Sequence, residues 1–287
     1  IKTVSDTVTS PSKSNALLRR EFRFLCKIAH PHVVRPLSLD TIGSHHALIL
    51  EDDGGVALSN ISSGANKLQL HDVISIAIQL ANGLAAIHQQ QIVHRDLSPA
   101  NIIWIAKNKT VKIIDFSLAS ELIGEPYDQQ ANRECCGTLP YMSPEQTGRL
   151  PRGIDHRSDF YALGAMIYEL LAGHPPFKAQ DELGYIHAHI AQKHLALIDL
   201  DPGMHPALSA LVDRLLAKEA EQRYQSSSGI IADLVRIKDD LNQGSTREFQ
   251  LGSSDISEYF TLPRITNGRL PQLDKLKSAY ALIGHTD

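Results

Sequence analysis

The stretch SDFYALGAMIYELLAGHPPF, residues 158–177, constrains the fold more than any other. It reads as a helix that is apolar almost all round, with Ser158 as a candidate N-cap and a stop at Gly173 followed by prolines. A helix with no polar face belongs in the middle of a helical lobe, surrounded by other helices. Four stretches can supply them. LHDVISIAIQLANGLAAIHQQ lies before it, and DELGYIHAHIAQ, HPALSALVDRLLAKE and SSSGIIADLVRIKDDLNQ follow, the last opened by a run of capping serines.

Upstream the pattern changes. IKTVS opens like the tail of a strand. SNALLRREFRFLCKIA has helical periodicity, with Leu17, Leu18, Phe22, Leu25 and Ile28 on one side. HPHVV ends it, because a residue before proline avoids the helical region. VRPLSLD and HHALILE read as two strands around a turn at Gly43, and EDDGG as a break. NIIWI and VKIID, separated by the polar turn AKNK, read as a β-hairpin. From residue 117 to 157 periodicity is lost, and a loop of that length inside a compact domain is usually functional or disordered. After Gly244, GSTREFQLGSSDISEYFTLP reads as a linker and GRLPQLDKLKSAYALI as the start of another element. The layout is a small strand-containing part, residues 1–53, joined to a larger helical part, residues 54–243, with residues 244–287 as linker and start of a following domain.

Composition removes several classes of function. The chain has 287 residues, is 43% apolar and carries a net charge of −4, so it lacks the strongly basic face of a nucleic-acid binder. No uninterrupted apolar run approaches the roughly eighteen residues of a membrane span. The first ten residues lack the basic-then-apolar layout of a signal peptide. Cys26, Cys135 and Cys136 give neither a disulfide framework nor a C-x-x-C pair, which fits a reducing, cytoplasmic setting. The fourteen histidines are scattered, and His187 and His189 sit two apart on one helix, on different faces.

The chemistry concentrates at the joint. HRDLSPANIIW, residues 94–104, carries Asp96 and Asn101, and Asp115 follows in VKIIDFS. The hairpin between them returns Asp115 beside Asn101. Phosphoryl transfer from a nucleotide needs hard oxygen ligands for magnesium and a carboxylate that orients an acceptor hydroxyl and takes its proton. Two carboxylates and a carboxamide supply these groups.

These residues resemble the signature of the protein kinases. His94-Arg95-Asp96 with Asn101 is similar to the catalytic loop H-R-D-x-x-x-x-N, Asp115-Phe116-Ser117 to D-F-G, and Ser143-Pro144-Glu145 to A-P-E. Asp159 on the apolar helix, Arg223 as a partner for Glu145, and Thr138 near the catalytic aspartate extend the resemblance over residues 21 to about 242. HRDLSPANII, SPEQTGR and DISEYF resemble kinase domains that open large bacterial-type signalling chains with an ATPase and a sensor histidine kinase module behind them. The resemblance implies an α+β, protein-kinase-like bilobal fold with a truncated N-lobe and a mainly helical C-lobe. It implies a serine/threonine kinase using ATP and Mg2+, acting on a protein substrate and working with downstream domains of the same polypeptide. Carried over by position, Asp96 is the base and Asn101 and Asp115 bind the metal. Arg95 steadies the activation loop, where Ser120, Tyr127 and Thr138 are candidate phosphosites. Thr138 and Ser98 complete the catalytic set. Lys2 and Glu21 form the strand–helix ion pair, Leu50 is the gatekeeper, Glu51 to Asp53 form the hinge, and Ile103 joins the nucleotide contacts.

Three departures qualify that implication. The chain holds no G-x-G-x-x-G loop and opens at or inside the strand that carries Lys2, so activity of the chain as it stands is expected to be feeble. Ser117 stands where D-F-G has glycine, which tolerates backbone angles that serine resists. Ser98 stands where kinases carry a lysine that contacts the γ-phosphate. They support an alternative, a pseudokinase or docking module that controls a downstream ATPase or histidine kinase. A small-molecule phosphotransferase shares the Asp–Asn–Asp core but not the S-P-E motif, the long activation-like segment or the late arginine.

Overall fold

The first helix has one buried stripe. α1, Pro11–Lys27, buries Leu18, Phe24, Leu25 and, just past its end, Ile28. Each such apolar side chain contributes about 1.5–3 kcal/mol when fully buried. Leu17, expected on that stripe, is 37% exposed, while Phe24 is 1% exposed; the buried face is rotated from the one the periodicity suggested. α1 packs on β1, Pro36–Ile42, and β2, His45–Leu50, an antiparallel pair. Lys2 exchanges backbone hydrogen bonds with Leu48 at 2.8 and 2.9 Å, adding a strand position on the side of β2 away from β1. The computed structural model describes residues 1–3, 11–42, 45–61, 68–122, 137–245 and 249–256. The predicted turn at Gly43, the Tyr127 phosphosite, Cys135, Cys136 and the stretch GRLPQLDKLKSAYALI lie outside the described residues.

The helical part begins after β3, Val56–Ala57, with α2, Leu70–Gln89, and β4, Ile92–Val93. β5, Ile102–Ile105, and β6, Thr110–Ile113, form the expected antiparallel hairpin, and β3 joins its other edge. Residues after α1 are tied to β6, since Val34 N–H donates to the Ile113 carbonyl and Ile113 N–H to that of His32. β7, Ser120–Glu121, pairs with β4, so the candidate phosphosite Ser120 starts as an ordered strand. α3, Arg157–Ala172, is the all-round apolar helix, and thirteen of its sixteen residues are buried. Ser158 does not cap it; His156 holds the N-cap position and Ser158 is spent on a buried carboxylate. Gly173 closes it in the left-handed conformation, φ 81°. α4, Glu182–Ala191, α5, Leu197–Leu200, α6, Pro206–Leu215, and α7, Ser227–Asn242, complete the lobe. Gly164 lets α3 meet α6 closely: a Cβ there would lie 2.6 Å from the Leu215 side chain.

α2 revises one expectation. Its mean hydropathy of 1.4 and its twenty residues reach the length and composition of a membrane span, although polar residues interrupt it; half of that stretch is buried, against α7, α3 and β6. Residues Ile1–Ile256 form one compact unit. Residues 249–256, inside the stretch that reads as a linker, pack on the helical lobe.

Candidate active site

The hairpin and the turn before it bring the candidate residues together. Asn101 N–H donates to the Ser98 carbonyl, closing a short 3-10 turn that starts at Pro99. The Asn101 side-chain amide donates to Asp96 twice, to its carbonyl at 2.8 Å and its carboxylate at 3.0 Å. Those bonds fix the amide, leaving Asn101 Oδ1 as an acceptor. Across the hairpin Ile114 N–H donates to the Asn101 carbonyl, so Asp115 stands one residue past that rung. The other Asp96 oxygen accepts the Thr138 N–H at 2.8 Å and the Thr138 hydroxyl at 2.7 Å. Thr138 thus reaches Asp96 as expected.

The loop that carries Asp96 is held from behind. Asp159, in the first turn of α3, accepts the N–H groups of His94 and Arg95, each at 2.9 Å, and His88 Nε2–H at 2.8 Å. Burial alone pushes the Asp159 carboxyl upward, but the His88 hydrogen bond and charge and the backbone donors outweigh it and hold it below the carboxylate range. His94 Nε2–H donates to the Ile114 carbonyl, its Nδ1 accepts the Asp96 N–H, and its ring meets Phe116 edge-on at 4.8 Å. The Arg95 carbonyl accepts from the Gln146 side chain at 2.6 Å.

The small lobe meets this loop through an ion triad. Lys2 Nζ lies 2.8 Å from Glu21 and 2.7 Å from Asp115. Glu21, 2% exposed on the inner face of α1, also accepts the Phe116 N–H at 3.0 Å. Burial pushes Asp115 upward, and Lys2 with the Ser117 hydrogen bonds more than reverses it, so the carboxylate stays ionised. Asp115 and Arg95 occupy the left-handed region, φ 64° and 68°. Ser117 does not, so the substitution for glycine meets no strain at that residue; its N–H turns back onto Asp115 at 3.1 Å. An ionised Asp115 and the Asn101 side-chain oxygen Oδ1 are hard oxygen donors suited to magnesium, whose other ligands would be phosphate and water.

The other candidate residues have the following surroundings. Leu50 closes β2 half-buried against the core, and Ile103 is half-buried in β5 beside Ala57. Glu51 and Asp53 turn their carboxylates to Lys112 of β6, and Glu51 also accepts the Arg35 N–H. Their side chains are committed to Lys112 and Arg35. Ser98 is 1% exposed, and its hydroxyl has no partner among the described residues. Glu145 and Arg223 meet as expected, at 2.7 and 2.9 Å, with side chains 1% and 0% exposed. Sequence reasoning missed His88, Gln146 and Ser158; each acts across more than ten residues, with no local pattern to announce it.

A family model, the protein kinase domain, matches residues 1–233, most of the chain. The chain belongs to the protein kinase family. Among its relatives, the serine/threonine-protein kinase PknB of Mycolicibacterium smegmatis is 32% identical over 76% of this kinase and 35% of the relative. PknB of Mycobacterium tuberculosis gives the same figures, 32%, 76% and 35%. A probable serine/threonine-protein kinase of Streptomyces coelicolor is 28% identical over 86% of this kinase and 37% of the relative. The kinase spans about a third of the length of these curated relatives.

Proposed function

We propose that this kinase domain transfers the γ-phosphoryl group of ATP, with Mg2+, to serine or threonine hydroxyls of a protein, in a cytoplasmic signalling pathway. The observation that carries the reading is the Lys2–Glu21–Asp115 triad standing beside the Asp96–Asn101–Thr138 group. Both the strand–helix ion pair and the metal-binding aspartate have to be in place for transfer. Lys2 would contact the nucleotide phosphates, Leu50 and Ile103 would pack on the base, and the hinge backbone at Glu51–Asp53 would hold its edge. Asn101 and Asp115 would hold magnesium, which supplies charge neutralisation when bound. Asp96 would take the proton from the acceptor hydroxyl as the oxygen attacks phosphorus. Asp96 is aimed at that task by two donors from Thr138 and one from Asn101. Arg95 would steady a phosphorylated activation segment. The partners would be a protein substrate and downstream ATPase and histidine kinase parts of the same polypeptide. As domains, we assign residues 1–53 to a partial N-lobe with hinge and 54–243 to the C-lobe. Residues 244–287 would lead into the following domain.

The test is γ-phosphate labelling by the full polypeptide that carries this segment, with Asp96→Asn as control. Loss of labelling in the variant supports the reading; equal labelling overturns it. Ser98 favours a second reading, a regulatory pseudokinase. A buried neutral hydroxyl replaces a cation two residues from the base, and losing such a donor costs about 10²–10³ in rate. Calorimetry separates the two: tight Mg-ATP binding with turnover removes the pseudokinase, and metal-independent binding without turnover removes the enzyme.

A further inference from the structure

The segment beyond α7 is built into the lobe. Phe249 and Leu251 pack against the core, and the Arg236 guanidinium lies 4.1 Å over the Phe249 ring. Asp255 is the anchor, with its side chain 2% exposed. Its carboxylate accepts the N–H of Gln225 at 3.0 Å, the N–H and hydroxyl of Ser226 at 2.9 Å each, and the Arg214 guanidinium at 2.9 Å. The Ser226 hydroxyl in turn accepts the Gly229 N–H at 3.1 Å. The start of α7 is therefore capped by its own serine and by a carboxylate from 29 residues downstream. Gly229 permits the approach, since a Cβ there would lie 2.6 Å from that of Asp255. A second fastening lies beside it. Gly252 N–H donates to Asp233 at 2.7 Å, and Arg214 stacks on Tyr224 at 4.2 Å while reaching the Leu251 carbonyl at 3.2 Å.

A buried carboxylate is costly unless its oxygens are satisfied, and here they are. What the arrangement holds is Gln225, and Gln225 leads to the active site. Its side-chain oxygen accepts Arg157 Nη1 at 2.9 Å, and its carbonyl accepts His156 Nε2–H at 3.1 Å. His156 and Arg157 begin α3, and Asp159, two residues on, holds the N–H groups of His94 and Arg95. A continuous series of hydrogen bonds runs from Asp255 to the loop that carries Asp96.

We propose that residues 249–256 are a latch on the helical lobe, and that Asp255 is a positioning residue acting through Gln225 and the start of α3 on Asp159 and the 94–96 loop. The assignment rests on that loop being the catalytic one. Its test reads the backbone, so it succeeds or fails apart from the kinase activity. Spatial connection alone does not establish coupling; a cycle of variants does. Amide hydrogen exchange is measured on the intact chain for the wild type, Asp255→Asn, Gln225→Ala and the double variant. In Asp255→Asn the amides of Gln225 and Ser226, and those of His94 and Arg95, are expected to exchange about tenfold faster, while Leu80 and Leu84 in α2 keep their protection. Gln225→Ala reproduces the effect at His94 and Arg95, and the double variant adds nothing there. Acceleration confined to residues 225 and 226, or additive effects at 94 and 95, overturns the proposal. If Asp255→Asn does not fold, Gln225→Ala decides alone: unchanged exchange at His94 and Arg95 overturns it.

Discussion

Glu145 and Glu21 each pair with a cation, and their surroundings differ sharply. Glu145 meets Arg223 with side chains 1% and 0% exposed, and Ser158 Oγ–H adds a bond at 2.6 Å. Arg223 spends its remaining donors on the carbonyls of Arg157, Ala217 and Lys218. Every polar atom is answered, so the upward push of burial on the Glu145 carboxyl is outweighed by Arg223, Ser158 and a backbone donor together. Glu21 meets Lys2 beside the cleft, where Lys2 is 25% and Asp115 32% exposed. One partly exposed lysine there serves a buried carboxylate, Glu21, and a partly exposed one, Asp115. The first pair is fixed architecture; the second can exchange partners when a nucleotide arrives. The same two charges thus serve stability or function according to how completely water is excluded.

The largest effect should fall on the sealed pair. Arg223→Ala leaves Glu145 buried without a counter-ion and should destabilise the domain by about 3–5 kcal/mol in denaturant unfolding. A loss under about 1 kcal/mol would erase the contrast. Lys2→Met should lower phosphoryl transfer by about 10²–10³ while costing less stability than Arg223→Ala, because Lys2 is partly exposed and Glu21 keeps the Phe116 N–H. The two measurements are γ-phosphate transfer and urea midpoints on the same preparations.

A buried group that stays neutral sharpens the comparison further. His189 is fully buried; Tyr161 O–H donates to its Nδ1 at 2.9 Å, and its Nε2–H donates to the Leu139 carbonyl at 2.8 Å. Burial holds its pKa down at about 4. The unfolded chain binds this proton near pH 6.5 and the folded one does not until about pH 4, so stability falls as pH drops through that window. The loss should reach roughly 2–3 kcal/mol by pH 4 relative to pH 7, and His189→Gln should flatten it in a pH series of melting temperatures. His156, lowered by burial and by His88, contributes in the same direction. The smallest effect belongs to the hinge. Lys112→Met removes a partly exposed pair with Glu51 and should cost about 0.2–1 kcal/mol, shrinking as salt rises above about 0.15 M in urea titrations.

Much of the helical lobe was legible because periodicity reports burial directly. α3, α2 and the hairpin lie where the pattern puts them, and Asp96, Asn101 and Thr138 meet as their motif implies. The misreadings share one cause. Ser158 looks like a cap because a serine before an apolar run normally is one, but a carboxylate thirteen positions earlier claims its hydroxyl. Leu17 fits the α1 period, yet the position of the sheet decides which face is covered. The stretch after Gly244 reads as linker from its polarity, while Asp255 is buried by donors 29 and 30 residues away. Local pattern carries no information about partners at that separation.

Arg95 and Asp115, two of the four non-glycine residues in the left-handed region among the described residues, have a consequence of their own. Neither has the freedom of glycine, so each holds its backbone uphill by roughly 1–2 kcal/mol against the fastenings around it. The centre is therefore cocked like a spring: Asp159 restrains one arm, and Lys2 with Glu21 restrains the other. Release of either catch would let that stretch of backbone slip out of its left-handed pose.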